Sequence, residues 1–260
     1  MLKTSYCEVS EATDVSEATD VSDIVREIGV DEAGRGPMFG RVYTAAVVLP
    51  ASLEDFNHAL MKDSKKFHSE KKIKAAAAYI KEKAIAWAIA YSDEGEIDDI
   101  NIRNATHRAM HRAIAKVIGG ANTNVIGKSL PECGSAEEFS HKGGFKGVNP
   151  LLLIDGNDFT PFILETNNEE TGVTKKERAQ HVCIEGGDNT YSCIAAASIL
   201  AKVARDDYIG EMCLADPSLI TKYDLLKNKG YGTKKHMDGI RAHGITPNHR
   251  KTFGLCRDFA

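Results

Sequence analysis

No stretch of the 260-residue chain approaches the roughly 18 apolar residues of a membrane-spanning helix, so a spanning segment is excluded. A C-x-x-C pair is absent too. Cys7, Cys133, Cys183, Cys193, Cys213 and Cys256 are scattered without a partnering histidine pattern, which argues against zinc and disulfide scaffolds and for a reducing compartment, the cytoplasm. The glycines form no dinucleotide fingerprint and no P-loop. Gly34, Gly36 and Gly40 join two expected strands instead of opening a helix, which excludes both phosphate-binding designs. Net charge is small, with 33 Lys and Arg against 37 Asp and Glu, net −4. Taken as an average, that speaks against a phosphate-bearing partner. What remains is a globular composition, 42% hydrophobic and 27% charged, long enough for one large domain and a small appendage.

The average conceals two opposed segments. Residues 8–23 repeat Ser-Glu-Ala-Thr-Asp-Val and carry six acids and no base. Such a repeat cannot bury enough apolar surface to order itself, so 1–23 is read as a disordered acidic tail. It has neither the basic start nor the apolar core of a signal peptide. Without it, residues 24–260 hold 32 bases and 31 acids. Near the other end, nine bases (Lys222, Lys227, Lys229, Lys234, Lys235, Arg241, Arg250, Lys251 and Arg257) stand against Asp224 and Asp238. That segment is suited to phosphates.

Hydrophobic periodicity between these ends predicts strands over 24–30, 41–49, 85–91, 151–155 and 181–184. It predicts helices over 52–61, 69–83 and 95–117, and from 191 to about 212, with Ser69 and Asp188-Asn189-Thr190 as caps. Residues 119–150 and 165–178 are polar insertions. The order gives an α/β domain over 24–215 followed by a helical region over 216–260.

Carboxylates stand where expected strands stop: Asp31-Glu32, Asp155 and Asp188. Open α/β folds place their sites at such edges. Asp31 and Glu32 point to opposite faces of an ideal strand and converge only if the strand ends or bulges beside the glycines. Four acids meeting without a base repel one another, and a pair of oxygen-ligated ions such as Mg2+ or Mn2+ resolves this. Two ions about 4 Å apart activate water and hold a leaving oxygen in phosphodiester hydrolysis. From spacing alone, Asp188 is equally an N-cap and Asp155 equally a turn residue before Gly156. His107 and His111, four apart on an expected helix, have half the makings of a metal site but no third ligand, so an exposed polar face is the better reading.

The string Gly29-Val30-Asp31-Glu32-Ala33-Gly34-Arg35-Gly36-Pro37 closely resembles the signature of the ribonuclease HII family. Asp63-Ser64-Lys65-Lys66, Ile154-Asp155-Gly156, and Gly187-Asp188 with the segment Ser198 to Asp206 resemble further family elements in the right order. The blocks Lys229 to His236 and His243 to Gly254 resemble its bacterial-type C-terminal blocks.

The resemblance implies a ribonuclease H-like mixed β-sheet flanked by helices, with a small helical C-terminal substrate-binding region. It implies an Mn2+- or Mg2+-dependent endoribonuclease with two metal ions, giving 3′-hydroxyl and 5′-phosphate ends. Its substrates would be RNA/DNA hybrids and single ribonucleotides embedded in duplex DNA, nicked on the 5′ side, by a monomer with no membrane partner. Carried over by position, Asp31, Glu32, Asp155 and Asp188 are the catalytic metal-binding acids. Gly34, Arg35 and Gly36 match the loop that senses the ribose 2′-hydroxyl, and Tyr231 matches the tyrosine against the sugar. Ser64, Lys65 and Lys202 match weaker phosphate contacts. A non-catalytic hybrid-binding protein would be marked by loss of an acid, and none is missing. An integrase or resolvase of the same superfold is opposed by the glycine loop and the tyrosine block.

Overall fold

Alternating and continuous runs of Val, Ala, Ile and Leu supply the strands. In this computed structural model, which describes residues 2–6, 25–119, 138–141, 149–167 and 174–260, the strands are β1 (Val25–Ala33), β2 (Val42–Val48), β3 (Ala86–Ser92), β4 (Glu138–His141), β5 (Asn149–Asp155), β6 (Ile163–Asn167), β7 (Thr174–Arg178) and β8 (Gln180–Ile184). Six of them form one mixed sheet in the order β4-β3-β2-β1-β5-β8, and β6 and β7 form a separate hairpin. β1, β5 and β8 run parallel, while β1 to β4 are antiparallel neighbours. The Leu151–Ile154 run is buried on both faces, as a central parallel strand requires.

The helices are α1 (Glu70–Lys83), α2 (Glu94–Gly119), α3 (Ser192–Ala215), α4 (Ser218–Tyr223), α5 (Leu225–Asn228) and α6 (Lys234–His243). α2 covers one face of the sheet, where Ile28 and Val30 of β1 meet Met110 and Ile114. α3 covers the other. Gly29 lets α3 approach β1, because a Cβ there would stand 2.2 Å from the Cys193 carbonyl carbon. Leu219, Leu225 and Ile240 of the C-terminal helices join the same core as Ile199 and Leu200 of α3. The α/β layer and the helical region are therefore packed as one body. Among the described residues no helix is long and apolar enough to cross a membrane.

Several local expectations change. Residues 52–61 form only a 3₁₀ turn, His58–Leu60, because the Asn57 side chain caps Ala59 N–H and its own N–H donates to Tyr79. α2 is broken at Asn101, with φ 68° and ψ 160°. Within the two polar insertions, β4 extends the sheet by pairing with β3 and β6–β7 make a hairpin. The rest of these insertions, Cys133 and the acidic repeat lie outside the described residues.

Asp188-Asn189-Thr190 do not cap α3, which starts at Ser192 behind Tyr191. Main chain does that work instead: the carbonyl of Lys3 accepts from Ser192 N–H at 2.9 Å while Lys3 N–H donates to Thr190 at 2.7 Å. The first residues of the expected tail are thus bridged to the start of α3.

His107 and His111 are pinned, not exposed. His107 is buried and takes the Thr160 N–H on Nδ1, and His111 Nε2 donates to the Thr160 carbonyl at 2.8 Å. Both rings thereby hold the segment that follows Asp155.

Candidate active site

The three neighbouring parallel strands end at one sheet edge, and each brings an acid there. Asp31 and Glu32 lie in β1, Asp155 ends β5, and Asp188 sits in the 3₁₀ turn Gly187–Asn189 that follows β8. β1 needs no bulge. Its pairing with β5 stops at Val30↔Ile154, whereas its pairing with β2 continues through Ala33↔Tyr43. The open edge beyond Val30 leaves both neighbouring acids free to reach one cleft.

That cleft, of about 270 Å³, is lined by every residue nominated from the sequence: Asp31, Glu32, Gly34, Arg35, Gly36, Ser64, Lys65, Asp155, Asp188, Lys202 and Tyr231. It adds Ser198 and Arg205, which lie within the matched segment Ser198 to Asp206 but were not among the expected site residues. Both were visible as the i and i+7 partners of Lys202 at i+4, three polar residues on one face of an otherwise apolar helix. Ser198 is a hydrogen-bond partner of Asp31 and lies 3.0 Å from Ser64 Oγ. Lys202 is held by Asp206 at 2.8 Å.

The acids resist ionisation together. Burial, then the charges of Glu32 and Asp155, push the Asp31 carboxyl well above the ordinary carboxylate range, against hydrogen bonds from Ser198 and Glu32 N–H. Burial also raises Glu32, with Arg35 opposing, and raises Asp155, with the N–H groups of Asp188 and Gly187 opposing. Asp188 is raised by burial and by Asp155. Lys65 is a cation that partly offsets Glu32, Asp155 and Asp188.

This oxygen-only donor set fits a hard divalent cation, which would offset the burial and the like charges that raise these acids. Among the described residues no three His, Cys, Asp or Glu side chains are drawn close enough to hold an ion by themselves.

The glycine loop is held from below. Gly34 has φ 93°, and a Cβ there would stand 2.0 Å from Arg205 Nε. The Arg250 guanidinium donates to the carbonyls of Gly34, Arg35 and Gly40, and Arg205 donates to those of Phe39, Arg41 and Lys229. Arg250 is fully buried, so it is not the phosphate contact that the basic C-terminal run proposed. Lys234, Lys235 and Arg241 of that run are paired with Asp238 or Asp224.

Tyr231 stands half-exposed beside Gly36, with its ring 5.9 Å from the Arg205 guanidinium. Its carbonyl is reached through two buried histidines. Thr246 N–H donates to His249 Nδ1, which leaves the His249 proton on Nε2 to donate to His236 Nε2 at 3.1 Å. His236 Nδ1–H then donates to Tyr231 O at 3.0 Å. Both rings are therefore neutral by the network they complete. Burial lowers both, and His249 is brought down to about 3. Their stabilisation is full above an unfolded pKa of about 6.5 and is lost as pH falls through the window below it. The melting temperature is expected to drop from pH ~6.5 toward acid, and calorimetry should find a shallower drop in His249→Gln.

The ribonuclease HII profile matches residues 28–129 and 151–256. The Parabacteroides distasonis ribonuclease HII is 43% identical over 229 residues, covering 88% of this chain and 90% of that one. The Bacteroides fragilis ribonuclease HII is 40% identical over 232 residues, covering 89% and 90%. Among solved structures, the ribonuclease H2 from Pyrococcus horikoshii OT3 superposes with a TM-score of 0.58 at 18% identity, over 90% of this chain and 96% of that one. Bst-RNase HIII in complex with Mn2+ gives 0.56 at 19% identity, over 96% and 76%. The mixed sheet with its flanking helices is thus a ribonuclease H-type fold. With the profile spanning most of the chain and relatives at 40–43% identity along its length, the chain belongs to the ribonuclease HII family and is a ribonuclease H by class.

Proposed function

We propose that the protein is an endonuclease that hydrolyses the RNA strand of RNA/DNA hybrids and nicks on the 5′ side of single ribonucleotides embedded in duplex DNA. One observation carries this reading: four acids, a glycine loop with open main chain and a half-exposed tyrosine converge on one cleft. Asp31, Glu32, Asp155 and Asp188 would hold Mn2+ or Mg2+. When bound, a pair of such ions supplies Lewis acidity and an activated water for in-line hydrolysis to 3′-hydroxyl and 5′-phosphate ends. The main chain of Gly34, Arg35 and Gly36 meets the ribose 2′-hydroxyl, the one group that separates RNA from DNA, without side-chain bulk. Tyr231 lies against the sugar. Ser64, Lys65 and Lys202 hold phosphates without reading sequence, Lys202 after leaving Asp206. The enzyme works as a monomer in the reducing cytoplasm, in keeping with the free thiols of Cys183, Cys193, Cys213 and Cys256.

The test is cleavage of two matched duplexes, one hybrid and one carrying a lone ribonucleotide, in each metal. A nick 5′ of the lone ribonucleotide is expected, and uncut duplexes at high enzyme and metal would end the reading. Tyr231→Ala should weaken the preference for the lone ribonucleotide by about tenfold relative to the hybrid, near 1.4 kcal/mol. The Mn2+-induced rise in melting temperature should survive in that variant. Equal losses on both substrates would contradict its role.

A further inference from the structure

Two of the largest fully buried side chains in the molecule are arginines, Arg205 and Arg250. Buried guanidiniums ordinarily meet carboxylates. Here all six guanidinium hydrogen bonds go to main-chain oxygens of the glycine loop and of Lys229, at 2.7 to 3.3 Å. Charge-assisted bonds are the stronger kind and fix geometry as well as energy.

The geometry of the peptide bond gives the grip a direction. In a trans peptide the C=O of one residue and the N–H of the next point opposite ways across one rigid plane. Arg250 holds the carbonyls of Gly34 and Arg35 on the buried side. The N–H groups of Arg35 and Gly36 are therefore turned the other way, toward the cleft these residues line. Among the described residues neither N–H has a protein acceptor. Arg205 performs a second task. It bonds Phe39 and Arg41 of the loop and Lys229, two residues before Tyr231. Met38 N–H also donates to the Gly230 carbonyl. The spacing between the loop and the tyrosine is thus fixed by this guanidinium together with one main-chain bond.

We propose that Arg250 and Arg205 are positioning residues for ribose selection, Arg250 by aiming the Arg35 and Gly36 N–H groups and Arg205 by fixing the distance from that loop to Tyr231. This inference rests on the proposed reading of the cleft. It predicts unequal effects on the two substrates. In a hybrid every nucleotide of the RNA strand carries a 2′-hydroxyl, so a loosened loop still finds one in any register. In a duplex with one ribonucleotide, a single register succeeds.

Arg250→Lys and Arg205→Lys keep the charge but lose the fork that spans several carbonyls. Each should lower kcat/KM on the lone-ribonucleotide duplex by about 10²-fold, the size expected for a misplacement near 1 Å, and on the hybrid by about tenfold or less. The ratio of the two kcat/KM values in one preparation is independent of how much of it is folded, so a partly unfolded variant still reports. The two variants report separately on aim and distance, so one unusable variant leaves the other. Equal losses on both substrates, with the wild-type ratio kept, would overturn the inference. If the wild-type protein cuts neither duplex, the reading of the cleft fails instead.

Discussion

Asp31→Asn is expected to lower kcat by about 10³-fold or more, on the order of 4 kcal/mol of transition-state stabilisation, while hybrid binding survives. The same change should make the metal-free protein more stable at neutral pH. The Asp31 carboxyl is buried against Glu32 and Asp155, and its folded pKa is raised. A raised carboxylate favours the folded state when protonated, so its stability is full below the unfolded value of about 3.9 and is lost as pH rises toward the folded one. At pH 7 to 8, above the unfolded value, the buried carboxyl therefore costs stability, and asparagine removes that cost. Each kcal/mol relieved should raise the melting temperature by roughly 2–4 °C for a chain of this size. Mn2+ should raise the melting temperature of the wild-type protein more than that of the variant. Single-turnover cleavage and calorimetry with and without metal check both halves. A variant that loses turnover and melts lower without metal would show that Asp31 supports the fold instead of straining it.

Gly34→Ala is expected to reduce kcat/KM on the lone-ribonucleotide duplex by about 10²-fold and on the hybrid by about tenfold or less, and to cost about 3 kcal/mol of stability. Two causes add. With φ 93°, Gly34 occupies a conformation that an L side chain adopts only under strain, and its Cβ would overlap Arg205 Nε and Cδ. Arg205 can yield only by releasing the carbonyls of Phe39, Arg41 and Lys229. Gly156→Ala separates the causes, since φ there is 102° but no atom lies within 4 Å of the added carbon. It should cost only the backbone strain, about 1–2 kcal/mol. Equal melting temperatures for the two variants would remove Arg205 from the account.

What could be read from the sequence was the part set by local pattern. An apolar run ending in Asp155 announces a buried parallel strand with an acid at its tip, and glycines after Glu32 announce a loop that needs its main chain near a ligand. Residues whose surroundings come from distant chain were misread. Arg250 sits in a basic run and looks like a phosphate contact, yet its partners are Gly34, Arg35 and Gly40, far away in sequence. β4 carries Glu-Phe-Ser-His, which has little strand character, and becomes a strand by pairing along β3. Asp188 has the spacing of a cap, but the Lys3 carbonyl fills that need and leaves the acid for the cleft. The mutual repulsion of the acids, by contrast, was foreseeable once all four were placed at strand ends.

The mixed sheet also fixes when the cleft can come into being. β1 and β2 pair across the short glycine loop, which closes quickly, whereas β3 joins β2 from beyond α1. The parallel pairing of β1 with β5 joins residues about 120 apart, and β8 adds only after β5 is in place. Long-range parallel pairing is slow because the chain must close large loops before any contact rewards it. During synthesis or refolding, Asp31 and Glu32 are therefore expected to sit on the β1–β2 hairpin before Asp155 and Asp188 arrive. The carboxylates that repel one another in the finished cleft meet only in the last steps of folding, when most of the burial that must hold them together has already been gained.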